Sequence, residues 1–198
     1  ETSSATDHQK NAGDPTIAPV NPSELRLGGS SPVATDGADA QTARAAQAGQ
    51  VRQAILQKIQ RAGIRDMTGE NLNVVATPEG ILIQVIDTPG IAMFEIGSSR
   101  LQPEAMNFLA AIGDVIRALD NDLVIFGHTD ARRFASTVYT NWELAADRAN
   151  AARRVLLNTG LTEKRIAEVV SRADQTPRNP ADGFAPENRR IEILLRGK

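Results

Sequence analysis

The sequence predicts an α/β two-layer sandwich: a mixed sheet of four strands or slightly more, with helices on one face. Ile81, Ile83 and Val85, and later Ile191, Ile193 and Leu195, recur at every second position, the period of a half-buried strand. Phe108, Ile112, Val115 and Leu119 recur at three to four residues, the period of a core-facing helix. Such segments alternate along the chain, which favours parallel neighbours with right-handed crossovers. The last strand follows a loop and not a helix, so it is expected to run antiparallel. Its other face, carrying Glu192 and Arg196, is expected to meet water.

Composition narrows the function. A chain of 198 residues with 41% hydrophobic content buries one good core and not two. A net charge of −2 and 4% aromatics supply neither a basic stripe nor a stacking platform for nucleic acid. Without cysteine there are no disulfides, thiolate metal sites or thiol nucleophiles. No apolar run reaches the roughly 18 residues of a membrane span, and no signal-peptide pattern opens the chain. The first residue is Glu1, so the expectation is that a preceding segment, such as an anchor or export signal, has been removed.

Each element has a local cause. Residues 1–37 are rich in Ser, Thr, Asp, Gly, Pro and Ala with isolated apolar residues, the composition of a disordered linker. Residues 38–62 form an Ala- and Gln-rich linker helix with a narrow stripe of Val51, Ile55 and Ile59. That stripe either docks on its own domain or pairs with another subunit. Residues 68–198 form the folded domain. Thr77-Pro78-Glu79-Gly80 is turn chemistry between strands at 72–76 and 81–87. Pro103 stands where a first helical residue belongs. A strand at 123–129 ends in Asp130, and residues 131–140 make a long loop. Thr140 and Glu143 form a capping box for the next helix, and Gly160 is placed to stop it. A strand at 166–172 and a Pro- and Gly-bearing loop at 177–186 lead to the final strand.

Few residues offer chemistry. His128 lacks partners at the spacing of a metal site or a Ser-His-Asp triad, and is expected to bond backbone near the strand end. No glycine-rich phosphate loop is present, and no cofactor or metal is expected. Asp130 and Arg148 remain. Asn141, Leu144 and Arg148 share one helical face, which places a base near the acid at the strand end. Arg offers a fork for a carboxylate and Asp accepts from an ammonium, so the two could clamp a zwitterion. A plain Asp130–Arg148 salt bridge, or two solvated charges, is the competing reading.

Four blocks carry a resemblance: Phe94-x-x-Gly97-Ser98, then Gly127-His128-Thr129-Asp130, then Asn141-x-x-Leu144-x-x-x-Arg148-Ala149, then Asn188-Arg189-Arg190. In that order they resemble the OmpA-like peptidoglycan-binding domains. Met93-Phe94, Asn141-Trp142-Glu143-Leu144 and Ala149-Asn150-Ala151-Ala152-Arg153-Arg154 are similar to the variant in the flagellar stator protein MotB. The resemblance covers about residues 70–197 and implies a fold like the OmpA C-terminal domain. It implies that Asp130 and Arg148 bind the diaminopimelate of the peptidoglycan stem peptide. Thr129, Asn141, Leu144, Asn188 and Arg189 would line or brace that pocket. Ala145 departs from the serine common in the family, and the long loop replaces a shorter turn, which bears on how glycan reaches the site.

What the resemblance implies is a non-enzymatic, periplasmic anchor that holds a flagellar stator to the cell wall. Its partners would be peptidoglycan, a MotA-like stator subunit reached through a membrane segment absent from this sequence, and a second copy in a homodimer. It would be the part of a single-span inner-membrane protein that lies outside the membrane. The alternatives are an OmpA- or lipoprotein-type wall tether without a motor role, and a peptidoglycan-processing enzyme.

Overall fold

The computed structural model describes residues 35–133 and 137–197. Residues 1–34 of the expected linker, and residues 134–136 in the middle of the long loop, lie outside the described residues. Helix α1 spans Thr35–Arg61, strand β1 Leu72–Thr77, β2 Gly80–Ile86, helix α2 Pro103–Ile116, β3 Leu123–His128, α3 Asn141–Asn158, β4 Ile166–Ala173 and β5 Arg190–Arg196. The five strands form one sheet in the order β1-β2-β5-β3-β4.

The expectation of parallel neighbours needs correction. Only β3 and β4, joined by α3, are parallel neighbours; β1–β2, β2–β5 and β3–β5 are antiparallel. The last strand takes the centre of the sheet. Because β5 opposes both β2 and β3, those two run parallel to each other without touching, and α2 still makes a crossover between them. The register sets Ile83 opposite Ile193 and Ile193 opposite Ile125, so one face carries a continuous apolar row. That row and the helices share a single core, with Phe108, Ile112 and Leu156 fully buried.

Helix starts follow the sequence signals. Pro103 opens α2, where its missing N–H costs nothing. At α3 the Thr140 N–H donates to Glu143 Oε2 at 2.7 Å and Thr140 Oγ1 accepts from Trp142 N at 3.3 Å, a two-way cap. Gly160, just past the helix, has φ 85°, a conformation that favours glycine. Ala48, Val51, Ile55 and Ile59 of α1 are buried in the same core as the sheet. The narrow stripe therefore docks on its own domain, and burial of each Ile is worth about 1.5–3 kcal/mol.

The far face of the sheet also differs from expectation. Arg196 is exposed, but Glu192 is covered. Gln84 Nε2 donates to Glu192 Oε1 at 2.7 Å, and Arg190 Nε donates to the same oxygen at 2.8 Å. Arg178 Nη1 reaches Gln84 Oε1 at 2.8 Å, so the loop between β4 and β5 lies over this face. His128 does not bond backbone as expected. Its Nδ1 is 3.2 Å from Thr176 Oγ1, and its Nε2 sits 3.3 Å from Glu192 Oε2 without hydrogen-bond geometry. Long-range partners, invisible to local pattern, turn a wet strand face into a buried polar network.

Candidate functional site

The site lies where β3 meets α3. Gly127 makes that meeting close: a Cβ there would stand 2.0 Å from the Ala145 carbonyl oxygen of α3. Ala145 itself is fully buried, on the side of α3 that meets the strand. Just past β3, Thr129 N–H donates to Ala173 O at 2.8 Å, which continues the pairing with β4. Asn141 Nδ2 donates to the Asp130 carbonyl at 3.2 Å, so the first residue of α3 holds the backbone of the aspartate.

Asp130 is buried and engaged through both of its oxygens. Its Oδ2 accepts from Arg132 Nη1 at 2.5 Å and from Arg189 Nη1 at 2.8 Å, and its Oδ1 accepts from Arg132 N at 3.1 Å. Arg148 is 3% exposed, donates through Nε to Ser98 O at 3.0 Å, and lies over the Phe94 ring at 4.8 Å. Burial pulls its pKa down, while the nearby Asp87 and Asp130 carboxylates oppose that shift. No ion pair joins Asp130 to Arg148 among the described residues, so the plain salt bridge is not what forms. The Nη atoms of Arg148 have no hydrogen-bond partner among the described residues.

These groups line a cleft of about 750 Å³. Of the expected residues, Thr129, Asp130, Asn141, Leu144, Arg148 and Arg189 are brought together in its wall. Asn188 is not. It is buried and braces a loop, accepting from Asn179 N at 2.8 Å and donating to Asp182 O at 2.8 Å. The lining carries Arg132, Arg133, Arg148 and Arg189 against Asp130 and Glu95, with Ile91, Phe94, Ile96 and Phe184 as apolar surface. Such a wall suits a ligand with several carboxylates and at least one cationic group. Thr129 Oγ1 is buried without a partner among the described residues. A buried orphan hydroxyl costs about 1–3 kcal/mol, which a polar ligand would recover.

Sequence reasoning missed three contributors. Arg132 and Arg133 sit in the long loop, where charge is ordinary. Asp87 directly follows β2, 3% exposed, with its Oδ1 accepting from Met93 N and its Oδ2 from Arg189 Nε, each at 2.8 Å. Only its position at the end of an apolar strand, like that of Asp130, could have drawn attention to it.

Comparison with known proteins bears on the family and the fold. The OmpA family profile matches residues 93–190, from Met93 on the loop before α2 to the start of β5. Motility protein B of Escherichia coli K12 is 38% identical over 133 residues, which are 65% of this chain and 42% of that protein. The chain spans from 41% to 59% of the length of the flagellar relatives it matches. The crystal structure of the periplasmic domain of Helicobacter pylori MotB, residues 90–256, superposes with a TM-score of 0.58 at 23% identity, covering 66% of this chain and 82% of that one. The cell wall anchor of the type VI secretion system of Pseudomonas aeruginosa superposes at 0.54 with 23% identity, covering 71% of this chain and 97% of that one. At those identities the superpositions speak for the fold alone. Residues 93–190 are an OmpA-family domain, and the chain that carries them is homologous to motility protein B.

Proposed function

We propose that this domain binds peptidoglycan, without catalysis, by holding the side-chain zwitterion of diaminopimelate between Asp130 and Arg148. The observation that carries this reading is the unsatisfied side of the clamp. Arg148 is buried, fixed through Nε and Phe94, and its Nη fork has no protein partner among the described residues. A planar fork matches a carboxylate, and Asp130 at the other side retains lone pairs for an ammonium. The orphan Thr129 hydroxyl adds a third polar contact to the same wall.

In this reading the protein is a periplasmic wall anchor of a flagellar stator. It works as a homodimer with a MotA-like subunit through a membrane segment absent from this sequence. No described helix is long and apolar enough to cross a membrane. The homology to motility protein B favours the motor role. The fold shared with a type VI cell wall anchor keeps a second reading in play, a wall tether in another machine.

The test is co-sedimentation with purified sacculi. The wild type should pellet with diaminopimelate-type sacculi and bind less to lysine-type material, which lacks the side-chain carboxylate. Asp130→Asn and Arg148→Ala should each remain in the supernatant. Equal binding to both wall types rules out the clamp, and release of soluble muropeptides would restore the enzyme alternative.

A further inference from the structure

Asp87 does not line the cleft, yet both halves of the clamp lead back to it. The chain turns at Asp87 out of β2, whose last residue pairs with Arg190, and Asp87 N donates to Arg189 O at 3.1 Å. The carboxylate is then spent in two directions. Its Oδ1 accepts from Met93 N at 2.8 Å, which fixes the residue before Phe94, the ring under Arg148. Its Oδ2 accepts from Arg189 Nε at 2.8 Å, and the same guanidinium reaches Asp130 Oδ2 through Nη1 at 2.8 Å.

We propose that Asp87 is a positioning residue for ligand binding, acting on Asp130 through Arg189. The inference rests on the clamp described under Proposed function. An arginine fork left alone with one carboxylate takes both of its oxygens. Asp87 prevents this by holding the Nε edge of Arg189, so that only Nη1 is committed to Asp130. The other arginine on Asp130, Arg132, is mostly exposed and can swing away into water. Arg189 is largely buried between two carboxylates and cannot. Without Asp87, Arg189 would turn onto Asp130 and occupy the lone pairs that the ligand's ammonium needs. Burial raises the pKa of Asp87, as expected for a carboxylate held inside for its contacts and not for solvation.

The experiment is calorimetric titration of the 198-residue chain with the soluble tripeptide L-Ala-γ-D-Glu-meso-diaminopimelate. Asp87→Asn keeps an acceptor for Met93 N but loses the charge that holds Arg189, and should weaken binding roughly tenfold or more. Because Asp87 acts through Arg189, the same change placed in an Arg189→Ala background should add nothing further. If Asp87→Asn does not fold, Arg189→Lys serves in its place, since a lysine cannot span both carboxylates, and it should weaken binding similarly. Wild-type binding lost in Asp130→Asn but unchanged in Asp87→Asn, or in Arg189→Lys where that variant is used, overturns the inference and leaves the clamp standing. A loss that persists undiminished in the Arg189→Ala background also overturns it, because Asp87 would then be acting on the fold at large. Absence of wild-type binding overturns the clamp and the inference together.

Discussion

Arg148 lies over the ring of Phe94, 4.8 Å from its centroid, and is tied by Nε to Ser98 O, so the loop before α2 and not Asp130 is its partner. A buried guanidinium held on an aromatic face is oriented in advance, and its binding edge stays open. Phe94→Leu should therefore preserve the core but loosen the arginine. A cation–π contact contributes about 0.5–2 kcal/mol to the folded chain, so the melting temperature should fall by a few degrees, and affinity for the stem tripeptide should fall as well because the guanidinium is no longer held in place. Calorimetric titration beside thermal unfolding measures both. A large stability loss with unchanged affinity would mean that the ring serves the core only.

Gly127→Ala should damage the fold and the site together. Its Cβ would meet the Ala145 carbonyl at 2.0 Å, a backbone atom that cannot move alone. β3 and α3 must separate, at a cost of about 1–3 kcal/mol or more. A change of about 1 kcal/mol shifts a domain of this size by a few degrees, so thermal unfolding resolves it readily. Because Asp130 follows β3 and Arg148 sits on α3, binding should weaken in the variant that remains folded.

Helix α1 makes a test of association. Ile55 is fully buried against its own domain, and Ile55→Ala should cost about 2–5 kcal/mol. That loss should be the same at every protein concentration, since the contact lies within one chain. A melting temperature that rises with concentration only in the wild type would show that Ile55 is buried between subunits. Light scattering at rising concentration tests the dimer separately.

Acid should destabilise the protein through the covered face of the sheet. Burial would lift the Glu192 carboxyl, but contacts from His128 and Arg190 outweigh it and push the pKa down to about 2. A depressed carboxylate stabilises the fold above its unfolded value of 4.5, and that contribution is lost as pH falls from there toward about 2. It is worth on the order of 3 kcal/mol at neutral pH. Burial lowers the pKa of His128, so the fold favours the neutral ring and loses stability as pH drops below 6.5. Urea midpoints measured from neutrality downward should therefore fall in two stages. Glu192→Gln should remove the lower stage, and His128→Gln should remove the upper one and shrink the lower, because His128 is one of the contacts that depress Glu192.

Local pattern was sufficient for most elements, because their causes lie within a few residues. The capping box of Thr140 and Glu143, Pro103 at the start of α2, Gly160 past α3 and the turn at Pro78-Glu79 all belong to short-range backbone chemistry. The helical period likewise suffices to put Asn141, Leu144 and Arg148, three residues of the cleft wall, on one face of α3. What only the tertiary structure decided involves partners far apart in sequence. β5 enters the centre of the sheet, between strands more than sixty residues upstream, because apolar rows on both sides bury it there. Glu192 is covered by a loop that brings in Arg178, and the stripe of α1 finds its own core. The most consequential of these is the pairing of Arg189 with Asp87 and Asp130, across 102 and 59 residues. Periodicity shows which face a side chain takes, but a charge finds its partner only when the folded chain excludes water around both.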